Sequence, residues 1–219
     1  MLPTEPIIRP LKDVWLKPRR VFRELAAQPV GITDYLLAAT QGIGSFLALY
    51  RTQEAGAHGS VAEILADSFA YGAIAGVASL FFMALIYRRL GNRAGGKSTN
   101  AQVIHVLAYG SVPMAASLAI WVLTALLAGE ATFVATPRAD LDGFLVLLLH
   151  AQFASHILLL IWSIVLQVMG FSEIQGLATR KALGVWLLGQ AIGFLASLVL
   201  AAVVGALFPD ALLHVIPQS

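Results

Sequence analysis

The sequence predicts an all-α, polytopic membrane protein with five transmembrane helices and a short amphipathic N-terminal interfacial helix. Three observations predict this class. Of the 219 residues, 58% are hydrophobic and only 12% are charged, whereas soluble domains are about 45–50% apolar and about 25% charged. Five apolar runs each have about 18 or more residues, the length that crosses the hydrocarbon core as a helix. Basic residues alternate between the segments that separate those runs.

The first element is a basic amphipathic segment that is too polar to span a bilayer. Apolar residues recur at helical spacing between Pro10 and Gln28, with lysines and arginines between them. Pro18 suits the first turn of a short helix. Such basic helices lie in the headgroup layer of a membrane, as a plain anchor or as a docking site for lipid or protein. The predicted interfacial residues are Trp15, Arg19, Arg20, Phe22 and Arg23.

Five spans follow, and none of them shows the period-2 alternation of barrel strands. They define one membrane domain over residues 32–208, between a cytoplasmic segment 1–31 and a short external tail 209–219. The predicted spans are residues 32–50, 64–87, 103–127, 144–169 and 182–208.

Charge in the connecting segments predicts the orientation of the chain. Twelve of the 14 lysines and arginines precede the first span, follow the second or follow the fourth. The opposite set of segments holds only Arg51 and Arg138, together with most of the acidic residues. We therefore expect a cytoplasmic N-terminus and a C-terminus outside.

Small residues mark two helix-packing stripes. Residues four apart share a helix face, and small side chains there let helix backbones approach closely in lipid. The stripe on the fifth span predicts packing within the chain or a homo-oligomer, and the pattern does not separate the two. The stripe residues are Ser68, Gly72 and Gly76 on the second span, and Gly189, Gly193 and Ser197 on the fifth.

A polar line runs down the fourth span. Gln152, His156, Ser163 and Gln167 fall within a sector of roughly 60° at about 100° per residue. Polar groups are costly against lipid, so this line should face the bundle interior or a wet cavity. One hypothesis is a path for water, protons or a small solute, and the other is hydrogen bonding between helices.

The third span carries a candidate kink or pocket formed by His105, Tyr109 and Pro113. Proline removes one backbone hydrogen bond and kinks a helix. Tyr109, one turn earlier, could donate to the freed carbonyl groups. A hinge and a static kink are both compatible with the pattern.

Residues 91–98 (GNRAGGKS) match the phosphate-binding pattern G-x-x-x-x-G-K-[ST]. A working phosphate loop joins a buried strand to a helix, whereas here the loop follows a membrane helix. We therefore expect a tight glycine turn and not a nucleotide site. The absence of cysteine excludes thiolate chemistry. No histidine or carboxylate spacing predicts a metal site, a cofactor or a catalytic group.

Three stretches together resemble the Yip family, the Ypt/Rab-GTPase-interacting membrane proteins, in its bacterial branch. Residues 17–25 (KPRRVFREL) resemble the family's entry segment. Residues 95–97 with 105–113 (HVLAYGSVP) are similar to its glycine loop and third span. Residues 170–177 (GFSEIQGL) look like its fourth-to-fifth loop, although Gln175 stands where we expect histidine.

The resemblance implies a non-enzymatic scaffold in a bacterial inner membrane that binds lipid or protein partners and shapes the membrane. Eukaryotic relatives in this family bind Rab-type GTPases in early secretory traffic. The partners we expect are the phospholipid bilayer, a second copy through the fifth span and a protein at the cytoplasmic face, with no nucleic acid. The alternative is a channel, permease or transporter of lipid or small solutes along the fourth span.

Overall fold

A computed structural model describes residues 8–135 and 141–207. Those residues form helices with short connections. The helices are α1 Ile8–Asp13, α2 Pro18–Leu25, α3 Ile32–Thr52, α4 Val61–Asp67, α5 Ala73–Arg93, α6 Asn100–Gly110, α7 Val112–Ala128, α8 Gly143–Gln175 and α9 Thr179–Leu207. A π-helical turn, Ser68–Gly72, joins α4 to α5, and 3-10 turns occupy Ala55–Ala57 and Gly129–Phe133. The predicted external tail 209–219 lies outside the described residues.

Four helices in the described part are long and apolar enough to cross a membrane, as expected of a multi-pass membrane protein. Helix α3, the predicted first span, has 21 residues. It is not among the four, because polar residues and two glycines lower its mean hydropathy. The four are Val61–Arg93, Asn100–Phe133, Gly143–Gln175 and Thr179–Leu200.

The second-span stripe packs against α3 of the same chain. A Cβ atom added at Gly42 would clash with the backbone of Gly72 and Gly76, and one at Gly72 would come within 2.8 Å of the Ile43 Cα. Backbone atoms cannot move aside as a flexible side chain can. The glycines therefore allow α3 and α5 to touch along their backbones, as small residues do in membrane helices. Ser68 is buried and donates to the Ile64 carbonyl.

The fifth-span stripe also faces the same chain for part of its length. A Cβ at Gly189 would meet the ring of Tyr87, and a Cβ at Gly193 would lie 2.8 Å from the Met83 sulfur. Ser197 donates to the carbonyl of Phe194 in its own helix and is exposed. The Gly189 and Gly193 positions thus pack α9 on α5, and a contact with a second copy at this stripe stays a prediction.

Helix α2 packs into the bundle with its apolar face. Phe22 is fully buried and Val21 is 2% exposed, and the Phe22 ring lies 3.0 Å from the Cβ position of Gly170 in α8. The residues predicted to lie at the membrane interface therefore differ in their exposure. Phe22 belongs to the protein core, because Gly170 leaves room for its ring, while Arg19, Arg20 and Arg23 are exposed. The depth of α2 relative to a bilayer stays a prediction.

The third span is interrupted between α6 and α7. Ser111 separates the two helices with a φ of −89° and a ψ of 2°, and Pro113 lies in the first turn of α7, where its missing N–H costs least. The Met114 amide bonds to the Ser111 carbonyl at 2.8 Å instead of continuing the α-helical pattern to Gly110. The carbonyl of Gly110 is thereby freed for a partner outside the helix.

Candidate functional site

The four side chains of the polar line on α8 contact four different helices. Gln152 contacts α3, His156 contacts α7, Ser163 contacts the end of α6, and Gln167 contacts α9. The line is therefore not one continuous polar path through the bundle. Its two halves differ in how completely these groups are paired.

The half of the line nearer the α8–α9 connection is filled with interhelical hydrogen bonds. Ser163 Oγ donates to the freed Gly110 carbonyl at 2.7 Å, a role that the sequence had given to Tyr109. Trp186 Nε1 donates to Gln167 Oε1 at 2.9 Å. Ser163 is 3% exposed and Gln167 is 6% exposed. Both side chains are thus used to join helices, which is the second of the two hypotheses for this line.

At the same end, His105 is fixed by partners on both ring nitrogens. Its Nδ1 lies 2.8 Å from Asp34 Oδ1, and its Nε2 lies 3.2 Å from the Gln28 carbonyl. The other oxygen of Asp34 accepts from the Gly31 amide at 2.9 Å. The pairing joins residues 71 apart in the chain, so no local sequence pattern predicts it.

The geometry also constrains the protons of this pair. A carbonyl oxygen only accepts, so His105 Nε2 must carry a proton toward Gln28. A second proton must then lie between Nδ1 and Asp34, held by either group. The pair is neutral overall in both cases, with all its hydrogen-bonding atoms used. It fastens the N-terminal segment, α3 and α6 together, and Tyr109 is buried beside it at 6.5 Å between ring centres.

The segment 91–98 begins in the last turn of α5, and it is closed by its own contacts. The Ser98 amide donates to Asn92 Oδ1 at 3.0 Å. A Cβ at Gly91 would clash with the Gln175 side chain, and one at Gly96 would lie 2.9 Å from the Gln175 Cβ. The glycines therefore serve the packing of α8 against this loop, which gives the pattern a structural reason. That no nucleotide binds here stays a prediction.

The basic residues at this end of the bundle are exposed. We call it the basic end. Arg23 pairs with Glu173 of α8 at 2.7 Å, Arg20 pairs with Glu24 at 2.7 Å, and Arg19 donates weakly to Thr179 at 3.4 Å. Trp15 is half-buried beside the core. The exposed basic residues here are Arg19, Arg20, Arg23, Arg88, Arg89, Arg93, Lys97, Arg180 and Lys181.

At the opposite end, which we call the Arg51 end, the polar line opens into a cavity. Arg51 lies in the last turn of α3, and its Nη1 donates to Gln152 Oε1 at 3.1 Å. Its guanidinium stands 5.5 Å from the centre of the Phe153 ring. These residues line a cavity of about 550 Å³ between α3, α7 and α8. The sequence predicted Arg51 only as a basic residue in a connecting segment.

His156 also lines this cavity. Ser117 Oγ lies 2.9 Å from His156 Nδ1, and Trp121 Nε1 lies 3.4 Å from the same nitrogen. The indole N–H only donates, so Nδ1 is an acceptor and the proton of neutral His156 sits on Nε2. In the described part of the chain, groups of three or more metal-ligating side chains do not occur.

The comparisons with known proteins agree with the architecture. The family model described as "Yip1 domain" matches residues 12–203. No curated protein and no solved structure matches the chain significantly. The matched range runs from the segment before α2 to α9 and includes both ends of the bundle.

Proposed function

The chain belongs to the Yip1 domain family, and from that membership we propose that it is a non-enzymatic integral membrane scaffold that binds lipid or protein partners. The family and the four long apolar helices establish a membrane protein. The scaffold role is our proposal.

The single observation that carries the proposal is the pairing of the polar line on α8. Ser163 Oγ donates to the Gly110 carbonyl at 2.7 Å, and Gln167 Oε1 accepts from Trp186 at 2.9 Å. Such hydrogen bonds in lipid stabilise a bundle by about 0.6 kcal/mol each. A path for ions or solutes would instead need polar groups that water can reach along the whole helix.

We further propose five crossings, with α3 as the first. Helix α3 packs along α5 through Gly42 and Gly72, and its 21 residues reach about 31 Å at 1.5 Å per residue. An odd number of crossings puts the two chain ends on opposite sides of the membrane, and the positive-inside rule supports a cytoplasmic basic end and an external Arg51 end. A bacterial inner membrane is the expected location.

A flux experiment tests the scaffold against the alternative of transport. The full chain is reconstituted into liposomes loaded with a small fluorescent anion or containing a fluorescent phospholipid. We expect no release and no lipid exchange above protein-free liposomes, for the natural chain and for His156→Leu alike. Release or exchange by the natural chain that His156→Leu abolishes would replace the scaffold by a transporter.

A positive test uses the exposed charge of the basic end. The protein in nanodiscs of zwitterionic lipid is mixed with vesicles that contain phosphatidylglycerol, and their association is measured by co-sedimentation. Each basic residue near an anionic surface contributes about 1 kcal/mol, so the double variant Arg89→Glu and Lys97→Glu should lose most of the binding. The control replaces His58, which is exposed at the other end, with glutamate. Equal binding by all three proteins would contradict a lipid-binding role for the basic end.

Transport of a lipid or small solute remains the second candidate because of the cavity at the Arg51 end. His156 lies 13 residues after the start of α8 at Gly143, about 20 Å along the helix axis. The cavity thus reaches well into the bundle from one side. Between the cavity and the basic end, Ser163 and Gln167 are hydrogen-bonded to neighbouring helices. The flux experiment decides between the two candidates.

A further inference from the structure

The cavity at the Arg51 end presents a positive charge without a counter-ion among the described residues. Arg51 is half-buried, and its recorded contacts are the Gln152 oxygen and the Phe153 ring. Within residues 8–135 and 141–207, no carboxylate lies within 4 Å of its guanidinium. The described cavity lining also contains no aspartate or glutamate. A partly desolvated guanidinium of this kind is suited to bind an anion.

Gln152 adds an unused donor to the same cavity. Its side chain is 2% exposed, and its Oε1 accepts from Arg51. Its Nε2 is buried and has no hydrogen-bond partner among the described residues. A buried amide with one end paired and the other end unpaired is rare in proteins, and each case calls for an explanation. A ligand oxygen in the cavity would supply the missing acceptor.

His156 supplies a third donor. Both Ser117 and Trp121 contact its Nδ1, so its proton is on Nε2, and that N–H has no partner recorded among the described residues. The residues that line the cavity therefore carry a guanidinium, an unpaired amide N–H and an imidazole N–H. Three donors and a positive charge fit the oxygens of a phosphate group better than any uncharged polar ligand.

The rest of the lining is apolar and reaches the outer surface of the bundle. Phe153 is 53% exposed, Ile157 is 38% exposed and Leu160 is 39% exposed. In a membrane these side chains face the acyl chains of lipid. A ligand that fills the cavity therefore needs an anionic head for the donors and a hydrocarbon chain for this wall. A volume of about 550 Å³ lies within the common range of small-molecule sites.

We propose that this cavity binds an anionic phospholipid, with its phosphate held by Arg51, Gln152 and His156 and one acyl chain along Phe153, Ile157 and Leu160. The lining residues that the structure describes offer no carboxylate for an ammonium or choline group, so the site favours anionic over zwitterionic lipid. The proposal goes beyond the scaffold role and needs only that the chain lies in a membrane. It can stand if the scaffold proposal fails.

The test measures binding to the purified full chain in an uncharged detergent by calorimetry. The probes are dihexanoyl phosphatidylglycerol, dihexanoyl phosphatidylcholine and inorganic phosphate. The informative variant is Gln152→Glu, which keeps an oxygen for Arg51, removes the amide donor and adds a negative charge. Because it gives Arg51 a counter-ion, this variant should fold as the natural chain does. Gln167→Glu is the matched control, since its carboxylate still accepts from Trp186.

We expect Gln152→Glu and Arg51→Gln to weaken phosphatidylglycerol binding at least about tenfold, and Gln167→Glu to leave it within about twofold. Phosphatidylcholine and inorganic phosphate should each bind the natural chain at least about tenfold more weakly than phosphatidylglycerol. Equal binding by Gln152→Glu and the natural chain would overturn the site. Equal binding of phosphatidylcholine would overturn the anionic head, and equal binding of inorganic phosphate would overturn the acyl wall. If Gln152→Glu fails to fold, Arg51→Gln decides the first of these outcomes.

Discussion

Two histidines, one at each end of the bundle, show how differently the two ends are built. His105 at the basic end has the Asp34 carboxylate at one ring nitrogen and the Gln28 carbonyl at the other. His156 at the Arg51 end has Ser117 and Trp121 at one nitrogen, while the other lines a cavity. Both ring nitrogens of His105 are thus used within the protein, whereas Nε2 of His156 is left to bond to a ligand.

The surroundings of the two histidines differ in the same way. At the basic end, Phe22 and Tyr87 are fully buried and the polar groups join helices. At the Arg51 end, Gln152 Nε2 has no partner in the part of the chain that the structure describes, and its side chain lines a cavity. Gln175 Oε1 at the basic end also lacks a described partner, but its side chain is packed between Gly91 and Gly96. The basic end thus stabilises the fold, and the Arg51 end is where a ligand has room.

The largest expected effect is the loss of Asp34. In Asp34→Ala, His105 and the Gly31 amide lose their buried partner, so the free energy of unfolding should fall by about 3–5 kcal/mol. Asp34→Asn keeps a partner for both groups, because its Oδ1 can accept from the Gly31 amide while its Nδ2 donates to His105 Nδ1, and it should lose much less. The measurement is denaturant unfolding in mixed micelles. Equal stability of Asp34→Ala and the natural chain would remove the distinction between a paired and an unpaired histidine.

The second prediction compares the packing of the two ends with one type of substitution. Ala84 is 2% exposed in the main core, and Ala48 lines the cavity. Ala84→Leu should destabilise the protein by about 1–3 kcal/mol because the core has no room for the added atoms. Ala48→Leu should change stability by less than about 0.5 kcal/mol, since its side chain enters open space. Equal costs in thermal unfolding would mean that the Arg51 end is as filled as the basic end.

The smallest expected effect compares two serines that bond between helices. Ser163→Ala leaves the buried Gly110 carbonyl without its partner, which should cost about 0.6–1 kcal/mol. Ser117→Ala should cost less, because Trp121 still donates to His156. Denaturant unfolding of both variants provides the measurement. A larger loss for Ser117→Ala would show that the His156 contact, and not the Gly110 contact, stabilises α8.

Hydrophobic length and helical periodicity predict most of the fold. The predicted fourth span, residues 144–169, lies within α8 Gly143–Gln175. The interruption at Pro113 follows from the chemistry of proline, and the shared face of Ser163 and Gln167 follows from the 3.6-residue repeat. These features are local, so a single segment of sequence contains the information.

The partners of the site residues are not local, and the sequence does not predict them. Asp34 meets His105 across 71 residues, and Arg51 meets Gln152 across 101 residues. Each pairing depends on the rotation of two helices about their axes, which close packing fixes. The glycine contact of α3 with α5 is one such constraint. The sequence therefore predicted Arg51 only as a charged residue of a connecting segment, although it lies in the last turn of α3 and contacts α8.

The central claim is that the polar line of α8 is closed at the basic end and open at the Arg51 end. The natural chain contains no cysteine, so His156→Cys, Ser163→Cys and Gln167→Cys can each be labelled alone with a small water-soluble thiol reagent in detergent. We expect the residue at position 156 to react at least about tenfold faster than those at 163 and 167, because water reaches only the cavity. Comparable rates at all three positions would contradict the claim.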